Sequence, residues 1–261
     1  MQHVDVKIHG PVATVMMNRA DRHNALSPRL MEELQTAFGD IHQEGRVRAV
    51  VLAAAGEHFC AGIDLAILDE IARMPPQEAL QEFIHAWRHY ADLLEQILRF
   101  PKPVIAAVDG AAIGAGLGLA LTADLMVVSQ RATLSAAAVR RGLVDGATTA
   151  LIAFRSGAAT AAKMMLTGES MGAEEAYRRG LCEPPVAAEQ IWVAASDLAK
   201  VCCKAPREAV QATKRALNEQ IGETLMTQIA AGIADSAAVC STDAAKEGVA
   251  AFLEKRDPDW L

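Results

Sequence analysis

The amino-acid sequence predicts an α/β fold in which strands alternate with helices and a helical region closes the chain. Three features carry that expectation. Short apolar runs rich in Val and Ile recur between Gly or Pro punctuation, segments of helical length separate them, and after Gly146 the pattern becomes mainly helical. Strand, turn and helix in that order suit parallel strands joined by crossover helices.

Val4 to Ile8 and Val12 to Met17 flank the turn His9-Gly10-Pro11, and their β-branched residues suit the two strands of a hairpin. Ser27 followed by Pro28 is a helix start: the hydroxyl caps orphan N–H groups and proline at the first position loses nothing. That helix is expected to run to about Gly45. Arg48 to Ala54, with Val50, Val51 and Leu52, is too short for a helix and reads as a buried strand, followed by a glycine-containing loop through Leu65. A helix is expected from about Gln77 to Arg99, after which Pro101 and Pro103 force an extended entry into the strand Val104 to Val108. Gly114 to Thr122 reads as a helix and Leu125 to Val128 as the next strand. Beyond Gly146 helices are expected with breaks at Gly157, Gly168, Gly180, Pro184-Pro185 and Pro206. The expected organisation is a core of residues 1–200 and a helical carboxyl-terminal region of residues 201–261.

The chain has 261 residues, long enough for one large buried core, and 52% hydrophobic with 22% charged residues excludes disorder. With only 4% aromatics, Ala, Val and Leu must do the packing. A net charge of -7 argues against nucleic acid as a partner. Cys60, Cys182, Cys202, Cys203 and Cys240 form no CxxC pair, so neither a metal site nor a disulfide framework is expected. The start MQHVDVKIHG lacks a secretion signal and no apolar run approaches the roughly 20 residues that span a bilayer, so no membrane association and a cytoplasmic location are expected.

Four segments resemble one family in the right order: MNRADRHNALS, FCAGIDL (Phe59 to Leu65), AVDGAAIGAGLGLALTADLMVV (Ala107 to Val128) and EGVAAFLEKRDPDW. They are similar to the crotonase, or enoyl-CoA hydratase/isomerase, superfamily. The resemblance implies a crotonase-like ββα spiral core with a helical carboxyl-terminal trimerisation region, a homotrimer or hexamer, and an acyl-CoA thioester as substrate. No cofactor is implied beyond the coenzyme A moiety of that substrate. Ile63 N–H from the first loop and Ala115 N–H at the start of a helix would form a two-donor oxyanion hole for the thioester carbonyl, favoured by the helix dipole. Arg22, Ala25, Leu26, Ala61 and Ile63 would line the coenzyme A groove, and Phe252 and Lys255 would reach a coenzyme A on a neighbouring subunit.

The sequence departs from the hydratase pattern where protons move. Laid on the family signature without gaps, Gly118 and Ala138 stand at the positions of the two hydratase glutamates, and neither transfers a proton. The resemblance therefore implies a lyase or isomerase of this family with altered enolate chemistry, or alternatively a non-catalytic acyl-CoA-binding homologue. Asp145, in the turn Gly142 to Thr148, is the candidate acid/base; dihydroxynaphthoyl-CoA synthases and 4-chlorobenzoyl-CoA dehalogenases are similar in carrying a functional aspartate near this turn. The first reading of Asp145, because Asp before a helix is common, is a cap of the following helix. Asp64 is expected to hold its loop, His85, His89 and Tyr90 to lie in a helix walling the acyl pocket, and Arg140 and Arg141 to be either a surface pair or a clamp for a carboxylated acyl group.

Overall fold

Gly10, with φ of 60°, turns the chain between β1 (Val4–His9) and β2 (Val12–Met17), an antiparallel hairpin in register from Val4 opposite Met17 to His9 opposite Val12. The computed structural model describes residues 1–260, without the side chains of residues 219–223. Ser27 starts α1 (Pro28–Gln43) as expected: its hydroxyl accepts from Leu30 N–H at 3.3 Å, and Leu30, Leu34, Phe38 and Ile41 are buried at helical spacing.

β3 (Ala49–Ala54) lies parallel to β2. The loop after it leads into α2 (Leu65–Ala72), where the sequence reading has no element, and then into α3 (Pro76–Leu98). β4 (Val104–Val108), β5 (Ala111–Ile113), α4 (Ala115–Leu121), β6 (Leu125–Val128) and β7 (Thr133–Ser135) follow. A 3₁₀ turn over Ala137–Arg141 precedes α5 (Gly146–Ser156), α6 (Ala158–Thr167), β8 (Ser170–Gly172) and α7 (Ala173–Arg178). The remaining helices are α8 (Ile191–Cys202), α9 (Arg207–Cys240) and α10 (Asp243–Leu253).

Five strands form one sheet in the order β1-β2-β3-β4-β6, parallel from β2 onward, and β5-β7-β8 form a second, smaller sheet. The inner strands β3 and β4 are buried on both faces, so β3 reads as an unbroken apolar run instead of an alternation. Val50 and Leu52 join the main core; Val51 and Ala53 face Ala195 and Ala199 of α8. The small sheet is absent from the sequence expectation because strands of three residues carry no usable period.

The carboxyl-terminal helices complete the main core, contributing Leu225, Ile229, Ile233, Ala237 and Val249. Where α5 and α9 meet, Gly146 and Gly232 touch backbone to backbone: a Cβ on either would overlap main-chain atoms of the other. Ser236 closes the junction, accepting from Gly146 N–H at 3.1 Å and donating to Gly232 O at 2.7 Å. Gly39, by contrast, sits on the exposed side of α1 with open space at its Cβ position. Gly232→Ala is therefore expected to lower the free energy of unfolding by about 1–3 kcal/mol or more through overpacking. Gly39→Ala is expected to raise it by up to about 1 kcal/mol through helix propensity. Denaturant midpoints of the two variants measure both signs, and equal shifts contradict the packing argument.

Candidate active site

The loop ahead of α2 is built around Gly62, whose φ of 95° places it in the left-handed region. Leu26 N–H donates to Gly62 O at 2.7 Å and Asp64 N–H to Leu26 O at 3.1 Å, a parallel bridge that turns Ile63 N–H to the opposite side. On its other flank the loop is bonded to β5: Cys60 N–H donates to Ala111 O at 3.1 Å and Ile113 N–H to Cys60 O at 2.9 Å. The missing side chains permit this approach. A Cβ on Gly62 would stand 2.7 Å from Ile113 O and 3.5 Å from Ala115 N, and one on Gly116 would overlap Cys60. The loop thus lies against the first residue of α4. Among the described residues, neither Ile63 N–H nor Ala115 N–H has a protein acceptor.

Arg19 and Asn24 hold this loop, and the sequence reading assigned neither a role. Arg19 pairs with Asp64 at 2.8 Å and donates to Ala25 O at 2.9 Å, tying the segment before α1 to the segment before α2. Asp64 also caps α2 through Ala66 N–H at 3.2 Å, the loop-holding role expected of it. Asn24 is fully buried with φ of 53°; its amide donates to Ala55 O and His58 O and its oxygen accepts from Arg19 N–H, each at 2.9 Å. Those three bonds keep a non-glycine residue in the left-handed region. Cys60, although central, is no nucleophile: burial pushes its thiol up to about 12, and it donates to Asn24 O at 3.0 Å.

Beside α4 the structure fills the space that a side chain at position 118 would need. A Cβ on Gly118 would overlap the Tyr90 hydroxyl and Thr148 Oγ1. Tyr90, wholly buried on α3, donates to Ala115 O at 2.9 Å and lies 3.5 Å from Thr148 Oγ1. Ala138, the second vacated position, is half-buried in the 3₁₀ turn after β7.

Asp145 takes the capping position expected of it. It caps α5, Oδ1 accepting from Thr148 N–H at 3.0 Å and Oδ2 from the Thr148 hydroxyl at 2.7 Å. It also faces the start of α4, since its Oδ2 lies 3.6 Å from where a Gly114 Cβ would be. Only 2% of its surface is exposed. Burial raises its pKa above the ordinary carboxylate value, against the opposing pull of the two Thr148 donors. Tyr90 is pushed well up too, by burial first and then by the nearby Asp145 charge.

Ile63, Ala115 and Asp145 are therefore brought to one place, with Leu26 and the half-buried Ala61 on the adjoining loops. Arg22 is exposed in the 3₁₀ turn Ala20–Arg22, where its carbonyl accepts from the half-buried Ala25. Phe252 and Lys255 are exposed at the end of α10. Among the described residues, no hydrogen bond, ion pair or ring contact links Arg22, Phe252 or Lys255 to Ile63, Ala115 or Asp145.

Other candidates face elsewhere. His85 is exposed, and His89 contacts Gln35 on α1 at 3.2 Å, so the helix turns Tyr90 inward in place of either histidine. Arg140 donates to Thr167 O at 3.0 Å and Arg141 lies 4.7 Å over the Phe252 ring, which makes them surface residues. Thr148 has no place in the sequence reading, and Tyr90 has none there beyond the helix expected to wall the pocket. The buried spacing of Phe83, Trp87, Tyr90 and Leu94 places the tyrosine on the inner face, where its hydroxyl must find a partner. Among the described residues no group of three or more His, Cys, Asp or Glu is arranged to hold a metal ion, and no helix is long and apolar enough to cross a membrane.

The profile of the enoyl-CoA hydratase/isomerase family matches residues 7–261. The chain is 37% identical over 256 residues to a Rhodobacter capsulatus protein named "Probable enoyl-CoA hydratase", covering 95% of this chain and 94% of that one. It is 30% identical over 261 residues to 1,2-epoxyphenylacetyl-CoA isomerase of Escherichia coli (strain K12), covering 100% and 98%. The crystal structure of an enoyl-CoA hydratase from Mycobacterium avium matches with a TM-score of 0.85 at 30% identity, over 99% of each chain. A profile that spans nearly the whole length, on a spiral of this topology, makes the chain a member of the enoyl-CoA hydratase/isomerase, or crotonase, superfamily and an acyl-CoA enzyme of that family.

Proposed function

We propose that the protein holds the carbonyl oxygen of an acyl-CoA thioester between Ile63 N–H and Ala115 N–H, and that Asp145 exchanges a proton with the acyl chain of the resulting enolate. The reading is carried by one observation: two backbone donors without acceptors among the described residues lie on segments in contact, with a buried carboxyl at their edge. Donors fixed in advance act on charge as it develops, and one such donor is worth roughly 2.7–4 kcal/mol in other oxyanion holes. The raised pKa of Asp145 makes it a stronger proton acceptor than an ordinary carboxylate. Hydration by two glutamates is not supported, because Tyr90 and Thr148 occupy the volume of the first and Ala138 stands for the second.

Arg22, Ala25, Leu26 and Ala61 would line the coenzyme A groove, with the cation of Arg22 toward phosphate. Phe252 and Lys255 of a neighbouring copy would complete it, which requires the homotrimer or hexamer proposed from the family resemblance. The exposed apolar residues Val139, Phe154, Leu166, Phe252 and Trp260 support such an assembly. Light scattering on the purified protein is expected to give the mass of three or six chains; a monomer at micromolar concentration overturns the shared groove.

The chemistry is tested by transfer of deuterium from D2O to the α-carbon of saturated and β,γ-enoyl-CoA thioesters above the rate without enzyme, followed by NMR. Exchange is expected with the unmodified enzyme, and Asp145→Asn is expected to slow it by about 10²-fold or more. Binding of acyl-CoA by calorimetry without exchange of any α-proton would instead establish a non-catalytic carrier.

Asp145 also makes stability depend on pH. Because its folded pKa is raised, its contribution is fully present below the unfolded value and is lost as pH climbs through the folded one. Asn cannot ionise and keeps an acceptor for Thr148 N–H. Asp145→Asn is accordingly expected to gain stability relative to the unmodified chain as pH rises from about 4 toward neutrality. Melting curves at a series of pH values measure the difference, and one that stays constant is contrary to it.

A further inference from the structure

We propose that Thr148 is a positioning residue that couples the protonation of Asp145 to the donor strength of Ala115 N–H. Its single hydroxyl hydrogen goes to Asp145 Oδ2 while the carboxyl is ionised and to Gly114 O once the carboxyl carries a proton. The inference rests on the site reading given above and deepens it.

A threonine hydroxyl has one hydrogen, and Thr148 Oγ1 has three oxygens within reach: Asp145 Oδ2 at 2.7 Å, Gly114 O at 3.2 Å and Tyr90 Oη at 3.5 Å. Tyr90 spends its own hydrogen on Ala115 O at 2.9 Å, and at the longest of the three distances it is the weakest acceptor for Thr148. The choice lies between the carboxylate and the Gly114 carbonyl. A charged acceptor at the shorter distance wins while Asp145 is ionised. A protonated Asp145 becomes a donor to Thr148 Oγ1, and the threonine hydrogen is released to Gly114 O.

Gly114 O belongs to the same peptide unit as Ala115 N–H. That carbonyl already accepts from Gly118 N–H at 3.0 Å, and a second donor polarises the peptide further, strengthening the N–H at its other end. The timing suits the reaction. When the α-C–H bond breaks, its electron pair enters the enolate, its proton goes to Asp145 Oδ2, and charge collects on the thioester oxygen. Thr148 gains and loses no proton; its hydrogen only changes acceptor. The amide beside that oxygen is thus reinforced when charge is greatest, a difference between transition state and ground state.

The switch has few competitors. The groups facing Asp145 are Thr148 on α5, the bare Gly114 before α4 and Tyr90 on α3, with the Cys60 thiol behind the tyrosine; burial holds Tyr90 and Cys60 neutral. Ser236 of α9 takes the adjoining Gly146 N–H. Among the described residues, no Lys, Arg or His makes a hydrogen bond or ion pair to Asp145.

The test compares Thr148→Val, which removes the hydroxyl in nearly the same shape, with Thr148→Ser, which keeps it; Thr148→Ala is the second hydroxyl-free form where Val does not fold. Cinnamoyl-CoA bound to each protein reports carbonyl polarisation by its absorbance, read across a pH series, and α-proton exchange gives the rate. In the unmodified enzyme the red shift is expected to grow as pH falls and Asp145 takes its proton. Thr148→Ser is expected to keep that dependence and Thr148→Val to flatten it. Loss of a donor to the ionised form also moves the acid limb of exchange upward by about one pH unit in Thr148→Val. A pH-dependent red shift that survives in the hydroxyl-free variants, or that Ser fails to restore, overturns the inference and leaves the site reading standing. No red shift and no exchange in the unmodified enzyme would overturn the site reading itself.

Discussion

The loop around Gly62 lies against the start of α4 at a distance only bare backbone allows, and the rest of the site follows from that contact. Gly62 and Gly116 face each other's segments where a side chain on either would strike Ile113 or Cys60. Two stretches about fifty residues apart in the chain must meet with little tolerance, and the parallel order β2-β3-β4-β6 brings both loops to neighbouring strand ends. Backbone donors can then point into one space with no side chain between them. Arg19, Asn24 and Asp64 surround the contact with bonds to carbonyls and to one another, fixing a geometry that catalysis by preorganised dipoles requires.

Losing a carboxylate at position 118 is a change of packing as much as of chemistry. The space beside α4 is taken by the Tyr90 hydroxyl and Thr148, whose own polar atoms are satisfied by the carbonyls of Ala115 and Gly114 and by Asp145. A buried polar network of this kind holds one arrangement because each member leaves another unpaired if it moves. In the function proposed above, proton transfer falls to a single carboxyl on a different helix end, that of Asp145.

Much of the frame was legible because local chemistry and global fold agree: the hairpin at Gly10, the Ser27 cap and Pro28 entry, and the strand forced by Pro101 and Pro103 all form as read. What escaped was short or distant. β5, β7 and β8 have three residues each, and α2 begins on the Asp64 cap inside a segment whose glycine and oxyanion motif drew the reading toward a loop. The backbone donors Ile63 and Ala115 were picked out by family resemblance, and the roles of Tyr90 and Thr148 were not. A side chain that fills a hole left by a glycine 28 residues further along carries no local mark of it.

The two aspartates of the site show how environment divides their tasks. Asp64 lies 2.8 Å from the Arg19 guanidinium and keeps its second oxygen on a helix cap, so its charge is balanced where it stands and serves to hold the loop. Asp145 is more deeply buried and, among the described residues, has only neutral donors, both from Thr148, so its ionised form is the strained one. A carboxylate left without a counter-charge is costly to stability, and that same imbalance lets it take a proton at modest driving force. The cap it forms on α5 offsets part of the cost and fixes Oδ2 toward α4, so that a structural terminus is compatible with the proton-transfer role proposed for the same residue.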